Sequence, residues 1–177
     1  MTEPPLGEIY LSAEMIQERV TELGQEISAD YHGKNLMLLG ILRASFVFMA
    51  DLVRSIDIPL SLDFMAISSY EGVEESPGAV RILKDLDVPI TGKHILIVED
   101  IIDTGLTLGY LIRNLEARNP DSIKICTLLD RSIRRIVPLP ISYTGFDIPD
   151  VFVVGYGMDY RQLYRNLPSL HLCDVKL

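Results

Sequence analysis

The sequence has few cysteines and histidines, no tryptophan and no long apolar run. Its 177 residues include two cysteines, Cys126 and Cys173, and three histidines. Two cysteines do not supply the disulfide framework of a small secreted domain, so we expect reduced thiols and a cytoplasmic protein. Residues 1–7 lack a signal-peptide pattern, and no apolar run approaches the roughly 20 residues that a membrane-spanning helix needs. A membrane partner is therefore not expected.

Basic residues are also in the minority. The sequence has 16 lysines and arginines against 25 aspartates and glutamates, a formal net charge of −9. Because contacts with nucleic-acid phosphates need clustered positive charge, this balance argues against a nucleic-acid partner. Hydrophobic residues make up 48% of the chain, which excludes a disordered protein. We therefore expect a single domain over residues 1–177.

The most informative stretch runs from His94 to Leu108. The aliphatic run at residues 95–98 predicts a strand covered on both faces, as in a parallel sheet. Apolar residues then recur with helical spacing, which predicts a helix that ends before Asn119-Pro120. The loop between strand and helix should lie at the carboxyl end of the strand, where open α/β folds bind ligands.

That loop has the composition of a phosphate cradle. Gly105 lets the backbone approach a ligand closely, and the helix start leaves N–H groups without partners. The acids Glu99 and Asp100 would repel an anion, so a divalent cation between acids and phosphates is expected, and Mg²⁺ is the usual choice. The pattern alone is equally consistent with an acidic strand end followed by an ordinary capped helix.

Residues 98–105, Val-Glu-Asp-Ile-Ile-Asp-Thr-Gly, closely resemble the phosphoribosyl-pyrophosphate signature of type I phosphoribosyltransferases. The double acid followed by Ile-Ile-Asp-Thr-Gly is most similar to the hypoxanthine-guanine branch. The resemblance extends from about Leu11 to the C-terminus. It includes Asp-Phe-Met-Ala at 63–66, Ser-Ser-Tyr at 68–70, the segments at 81–86 and 152–160, and their order along the chain.

Strands alternating with helices predict an α/β fold with a mostly parallel twisted sheet flanked by helices. A first helix, capped by Ser12, should bury Met15, Val20, Leu23 and Ile27. Further strands are expected at 36–42, 60–67, 80–86, 122–129, 143–146, 152–156 and 170–173, with 152–156 the last core strand of the main sheet. The resemblance implies the type I phosphoribosyltransferase fold, with a small hood over the carboxyl edge. The hood would come from the chain ends and about residues 131–150, and a flexible flap from about 70–79.

The resemblance also implies an activity: transfer of the 5-phosphoribosyl group from phosphoribosyl pyrophosphate to hypoxanthine or guanine, giving IMP or GMP and pyrophosphate. Asp103 matches the general base, and Glu99, Asp100 and Asp159 match residues near Mg²⁺. The residues implied in binding phosphoribosyl pyrophosphate or the nucleotide are Arg43, Ala44, Ser45, Ser69, Tyr70, Glu99, Asp100, Ile101, Ile102, Asp103, Thr104, Gly105, Leu106, Thr107 and Arg165.

The implied purine-binding residues are Arg131, Val151, Phe152, Val153 and Asp159. Phe152 matches the aromatic residue that stacks on the base, and the backbone of Val153 matches the group that reads its exocyclic edge. Arg131 stands where the family usually has lysine, and Arg43-Ala44-Ser45 replaces Lys-Gly-Ser or Lys-Gly-Gly. We expect the Arg131 fork to donate to the 6-oxo group. The alternative is that Arg131 extends into solvent with Arg134 and Arg135.

Other functions remain open at this point. A regulator of the same fold could sense phosphoribosyl pyrophosphate while binding nucleic acid, although the acidic balance speaks against it. An enzyme of the same fold could use another base, such as a pyrimidine. The sequence does not rank hypoxanthine, guanine and xanthine as substrates. Family habit suggests a homodimer or homotetramer.

Overall fold

The computed structural model describes residues 6–69 and 80–174 of the chain. The predicted flap at 70–79 lies outside these residues. In the described part the elements follow in the order β1 Leu6–Leu11, α1 Ala13–Asp30, β2 Leu36–Leu42, α2 Phe46–Ser55, β3 Ser61–Ser69, β4 Val80–Lys84, β5 His94–Ile102, α3 Leu106–Glu116, β6 Ser122–Asp130, β7 Ile141–Asp147, β8 Val153–Val154 and β9 Leu170–Cys173.

A six-stranded sheet with the order β4-β3-β2-β5-β6-β7 forms the centre of the molecule. β3 and β4 pair antiparallel, and the other neighbouring strands pair in parallel. Residues 95–98 of β5 are completely buried because helices cover both faces of the sheet. The predicted α/β fold with a mostly parallel sheet is confirmed, and the carboxyl end of β5 lies near the middle of the sheet edge.

Alternate residues of the central strands belong to two hydrophobic clusters. Leu96 and Val98 pack with α1 and α2, whereas Ile95 and Ile97 pack with α3. The Ser12 hydroxyl accepts a hydrogen bond from the Met15 N–H at 3.3 Å, as the predicted cap requires. The predicted burial of Met15 is wrong: its side chain is exposed, and Ile16 takes the inward position of that turn.

A second, three-stranded sheet with the order β1-β9-β8 joins the two ends of the chain. Its strands pair antiparallel. The prediction that 152–156 is the last strand of the main sheet is therefore wrong. β8 contains two residues because the backbone turns at Gly155 and Gly157, whose φ angles of 105° and 95° are unsuited to a continuing strand.

β7 forms one edge of the main sheet, and α1 protects it. Arg19 donates from Nε to the Gly145 carbonyl at 3.2 Å and from Nη2 to the Thr144 carbonyl at 2.9 Å. Glu22 and Glu26 both pair with Nη1 of the same arginine. A single guanidinium thus links the helix to backbone acceptors of the edge strand.

At the opposite side of the sheet, a buried aspartate connects β3 to β4. The Asp63 carboxylate accepts from the backbone N–H groups of Phe64 and Asp87, each at 2.7 Å, and from Lys84 Nζ at 3.1 Å. Lys84 also donates to the Phe64 carbonyl at 2.8 Å. The Lys-Asp of segment 81–86 therefore has a structural place at the base of the β3–β4 hairpin.

Within residues 6–69 and 80–174, no helix combines the length and apolar character needed to cross a membrane. Cys126 and Cys173 are both buried free thiols.

Candidate active site

The loop between β5 and α3 encloses the first of two adjacent cavities. Its lining consists of Glu99, Ile101, Ile102, Asp103, Thr104, Gly105, Thr107 and Leu108. Gly105 precedes the helix with a φ of 79°. A Cβ at this position would lie 2.9 Å from Leu139 Cδ1 and 3.2 Å from the Val137 carbonyl oxygen. Both the left-handed φ and the close packing therefore require glycine at the start of α3.

The same loop supplies donors for an anion. α3 begins at Leu106, so the N–H groups of its first turn have no acceptor within the helix. Thr104 and Thr107 contribute hydroxyls to the cavity wall. The Leu106 side chain is exposed and is not part of that wall, although sequence analysis included it. The cavity combines backbone donors, hydroxyls and a helix N-terminus, which together suit a phosphate group.

A second cavity opens beside the first. Its lining consists of Ala44, Asp100, Ile101, Asp103, Arg131, Phe152, Val153, Met158 and Asp159. Ile101 and Asp103 line both cavities, which places Asp103 at their junction. The residues come from the loops after β2, β5 and β6 and from the chain around β8. The second cavity has an aromatic ring, aliphatic walls and charged groups, so it suits a flat polar ligand.

Arg131 is buried in the wall of the second cavity, with 6% of its surface exposed. Its Nη1 lies 2.9 Å from Asp103 Oδ1, and its Nη2 donates to the Val151 carbonyl. Within the described part of the chain, its buried Nε has no hydrogen-bond partner. The alternative that Arg131 extends into solvent is therefore wrong. Arg134 is the more exposed residue of this segment and pairs with Asp150 at 2.8 Å.

The acidic pair at the end of β5 has an unusual electrostatic environment. Burial raises the pKa of Glu99 well above its ordinary value, and the neighbouring charge of Asp100 raises it further. Burial raises the pKa of Asp100 to about 6, although backbone N–H groups and the charge of Arg165 oppose this shift. Burial without a full complement of positive partners is thus the dominant influence on both carboxyl groups.

The third predicted metal residue lies apart from this pair. Asp159 pairs with Arg165 at 2.7 Å. Across residues 6–69 and 80–174, no group of three or more histidine, cysteine, aspartate or glutamate side chains is close enough to hold a metal ion by itself. Any cation here would need ligands from a bound substrate in addition to protein carboxylates.

The turn after β2 closes the second cavity from another side. It begins with a cis peptide bond between Leu42 and Arg43. Ala44 lines the cavity, whereas the buried Ser45 hydroxyl donates to the Ile41 carbonyl at 2.5 Å. The backbone of Gly157 packs so closely that a Cβ there would lie 2.2 Å from the Ala44 carbonyl oxygen.

The remaining predicted residues lie around these cavities. Arg165 donates from Nη1 to the Gly157 carbonyl at 2.7 Å. The Val151 carbonyl is engaged by Arg131, so Phe152 and Val153 form this part of the second cavity wall. Ser69 is the last residue of β3, and Tyr70 lies outside the described residues.

Sequence analysis missed several residues of the site. Leu108 and Met158 line the cavities, but helical periodicity marked Leu108 as a core residue only. Gly157 was not singled out, although glycines on both sides of Tyr156 are a signal of close backbone approach. Gln162 has contacts with two arginines, and no local sequence pattern indicates them.

Comparison with known families identifies a match over most of the chain. The family model of the phosphoribosyl transferase domain matches residues 8–161. The chain is 50% identical over 165 residues to a hypoxanthine-guanine phosphoribosyltransferase of Staphylococcus aureus, covering 93% of this chain and 92% of the relative. It is 46% identical over 175 residues to the enzyme of the same name from Mycobacterium avium, covering 96% and 86%.

Solved structures give the same result. A crystal structure of hypoxanthine phosphoribosyltransferase from Staphylococcus aureus is similar with a TM-score of 0.90 and 49% identity, covering 95% of this chain and 91% of the other. A hypoxanthine-guanine phosphoribosyltransferase from Bacillus anthracis, with HEPES in its active site, has a TM-score of 0.90 and 44% identity, covering 96% and 98%.

Proposed function

The chain belongs to the phosphoribosyl transferase family, and from this we infer that it is a purine-salvage enzyme. It transfers the 5-phosphoribosyl group from phosphoribosyl pyrophosphate to hypoxanthine or guanine, with release of pyrophosphate. The names of its relatives support this activity and do not favour a regulator of the same fold.

One observation carries the assignment of the substrates to the site. The phosphate-type cavity and the aromatic cavity meet at Ile101 and Asp103. In our proposal the 5′-phosphate binds in the first cavity, on the backbone of residues 103–107. The purine binds in the second cavity, and the ribose lies between them along the end of β5. This arrangement brings the reacting carbon and the purine ring nitrogen together beside Asp103.

The second cavity supports a role in base selection. Phe152 stacks on the purine, the backbone of Val153 contacts its exocyclic edge, and Arg131 donates to the 6-oxo oxygen. The buried Nε of Arg131 has no partner in the described part of the chain, so this donor is available to a ligand. Adenine has an amino group in place of the oxygen, and two facing donors in a buried pocket would each lose a partner.

We assign the general base to Asp103. Its carboxylate lies at the junction of the cavities and is held by Arg131 at 2.9 Å. A carboxylate in this place can accept the proton that the purine nitrogen loses as it attacks the ribose. Arg131 holds the group in position and keeps it in the charged, proton-accepting form.

Mg²⁺ fits the donor set and is the cofactor that we propose. Glu99 and Asp100 supply buried carboxylates whose pKa values are raised by burial, and Mg²⁺ is commonly held by one or two carboxylates together with substrate phosphates. Asp159 would support it from the other side of the second cavity. Bound there, Mg²⁺ supplies positive charge that neutralises the departing pyrophosphate. Arg165 adds a fixed positive charge beside Asp159.

The test is direct. The protein is incubated with phosphoribosyl pyrophosphate, Mg²⁺ and hypoxanthine, guanine, xanthine, adenine or uracil, and nucleotide formation is followed. We expect IMP and GMP to form and the adenine and uracil reactions to be slow. Full turnover in excess chelator would contradict the role of Mg²⁺, and nucleotide formation with uracil alone would contradict the choice of base.

A further inference from the structure

We propose that Gln162 is a positioning residue that holds Arg43 and Arg165 together as a receptor for the pyrophosphate group. The inference rests on the proposed function and adds a residue that neither the sequence motifs nor the family match assigns. It follows from the contacts of a single side-chain amide.

The Gln162 amide oxygen accepts two hydrogen bonds from different parts of the chain. One comes from Arg43 Nη1 at 3.2 Å, and the other comes from Arg165 Nη2 at 3.3 Å. Arg43 lies in the turn after β2, so this contact spans 119 positions along the sequence. The amide therefore brings two guanidinium groups to one point beside the second cavity.

The backbone of Gln162 is fixed at the same time. Its N–H donates to Asp159 Oδ2 at 2.7 Å, and the other oxygen of Asp159 pairs with Arg165. The φ angle of Gln162 is 70°, a left-handed conformation that is uncommon for residues other than glycine. Asp159 thus holds the turn in the conformation that directs Gln162 toward both arginines.

The neutral charge of the amide explains its use at this position. Two guanidinium groups at one point repel each other, and an amide oxygen can accept from both. It does so without cancelling their charge. The pair consequently keeps its full attraction for a ligand with several negative oxygens, and pyrophosphate is such a ligand. A carboxylate at the same position would bind the arginines more tightly but would also repel the pyrophosphate.

The test compares three variants with the parent enzyme. Gln162→Ala removes the acceptor, Gln162→Glu keeps it but adds a negative charge, and Gln25→Ala changes an exposed glutamine of α1 as a matched control. For each protein we would measure kcat, the KM for hypoxanthine, the KM for phosphoribosyl pyrophosphate, the KM for pyrophosphate in the reverse reaction, and Tm.

We expect Gln162→Ala to raise both KM values for the pyrophosphate-bearing substrates by about three- to tenfold, the range of one lost hydrogen bond. The KM for hypoxanthine and kcat should stay within about twofold of the parent. Gln162→Glu should raise the same two KM values at least as much while its Tm is equal to or above that of the parent. Gln25→Ala should match the parent throughout.

A purely structural role predicts a different result for Gln162→Glu. If the residue only links the arginines, the carboxylate should preserve or improve the KM values, and this outcome would overturn the proposal. Unchanged KM values in Gln162→Ala would also overturn it. An inactive parent would instead contradict the proposed function, so the two failures are distinguishable.

Discussion

Two buried aspartates, Asp63 and Asp100, have almost the same exposure, 7% and 8%, but their pKa values shift in opposite directions. Burial alone would raise the pKa of Asp63, but hydrogen bonds from the Asp87 and Phe64 backbone and the Lys84 ammonium outweigh it, and the pKa is lowered. At Asp100 burial prevails, and the pKa is raised to about 6.

The difference separates a carboxylate that stabilises the fold from one that serves a ligand. Asp63 has its positive and N–H partners in place within β3, β4 and the turn after β4. Asp100 lies in a cavity wall where the compensating charge must arrive with the substrate and its cation. Functional sites commonly retain such uncompensated groups at the expense of stability.

Asp103 is an intermediate case, because it lies at the cavity junction and is already paired with Arg131. We expect Asp103→Asn to reduce kcat by about 10²–10⁴-fold, the usual contribution of general acid–base catalysis. The amide has a similar shape, so the unfolding free energy should change little. Steady-state assays with hypoxanthine and urea unfolding measure the two quantities. Turnover within a few-fold of the parent would show that Asp103 has only a structural role before α3.

Asp100→Asn tests the functional side of the comparison. We expect turnover to fall by about 10²-fold or more, because a group that compensates developing charge is lost. Without Mg²⁺, the unfolding free energy should stay the same or increase, since the substitution removes a charge that burial disfavours. Loss of stability comparable to that of an Asp63 variant would remove the distinction between the two aspartates.

Arg131 tests whether the partner of Asp103 also selects the base. Arg131→Ala should lower kcat/KM for hypoxanthine and guanine by about tenfold or more, because a buried donor and the support of Asp103 are both lost. Arg131→Lys should retain most of the activity, since it restores a single positive donor. Parallel assays with adenine measure selectivity. If Arg131→Ala keeps 6-oxopurine efficiency and still excludes adenine, another residue reads the base.

Asp63→Asn tests the structural side. We expect the unfolding free energy to fall by about 1–3 kcal/mol, because buried donors lose a charged acceptor. The value of kcat should remain near that of the parent below the unfolding transition. Asp87→Asn is the matched control, because Asp87 also pairs with Lys84 but is 75% exposed, and surface pairs contribute about 0–1 kcal/mol. Equal losses in both variants would contradict a special role for Asp63.

The smallest effect is a pH dependence of stability. The pKa of Asp63 in the folded protein is below its ordinary value of 3.8, so below this pH the unfolded state binds more protons. The stabilisation by Asp63 is complete above pH 3.8 and is lost as pH falls through the folded pKa. Unfolding free energies of the parent and Asp63→Asn should therefore converge below about pH 4. A constant difference down to pH 2 would contradict this account.

The ease of prediction from sequence differs in the same way between the two cavities. The first is formed by consecutive residues, and its glycine, threonines and helix start are local signals that sequence analysis recognised. The second depends on side chains from four separate segments, and only the family resemblance indicated Phe152 and Asp159. The placement of residues 152–156 in the main sheet was wrong because an apolar run does not specify which sheet it joins. Likewise, no local pattern indicated that Gln162 contacts Arg43.

The contacts of Arg19 with β7 affect how separate molecules behave toward one another. An edge strand with free carbonyl groups is a template on which a strand of another molecule can add, which leads to aggregation. Arg19 occupies the carbonyls of Thr144 and Gly145 and places a charged side chain along that edge. The same guanidinium that anchors α1 therefore also discourages intermolecular sheet extension, and it should matter most at the high concentrations at which a protein precipitates.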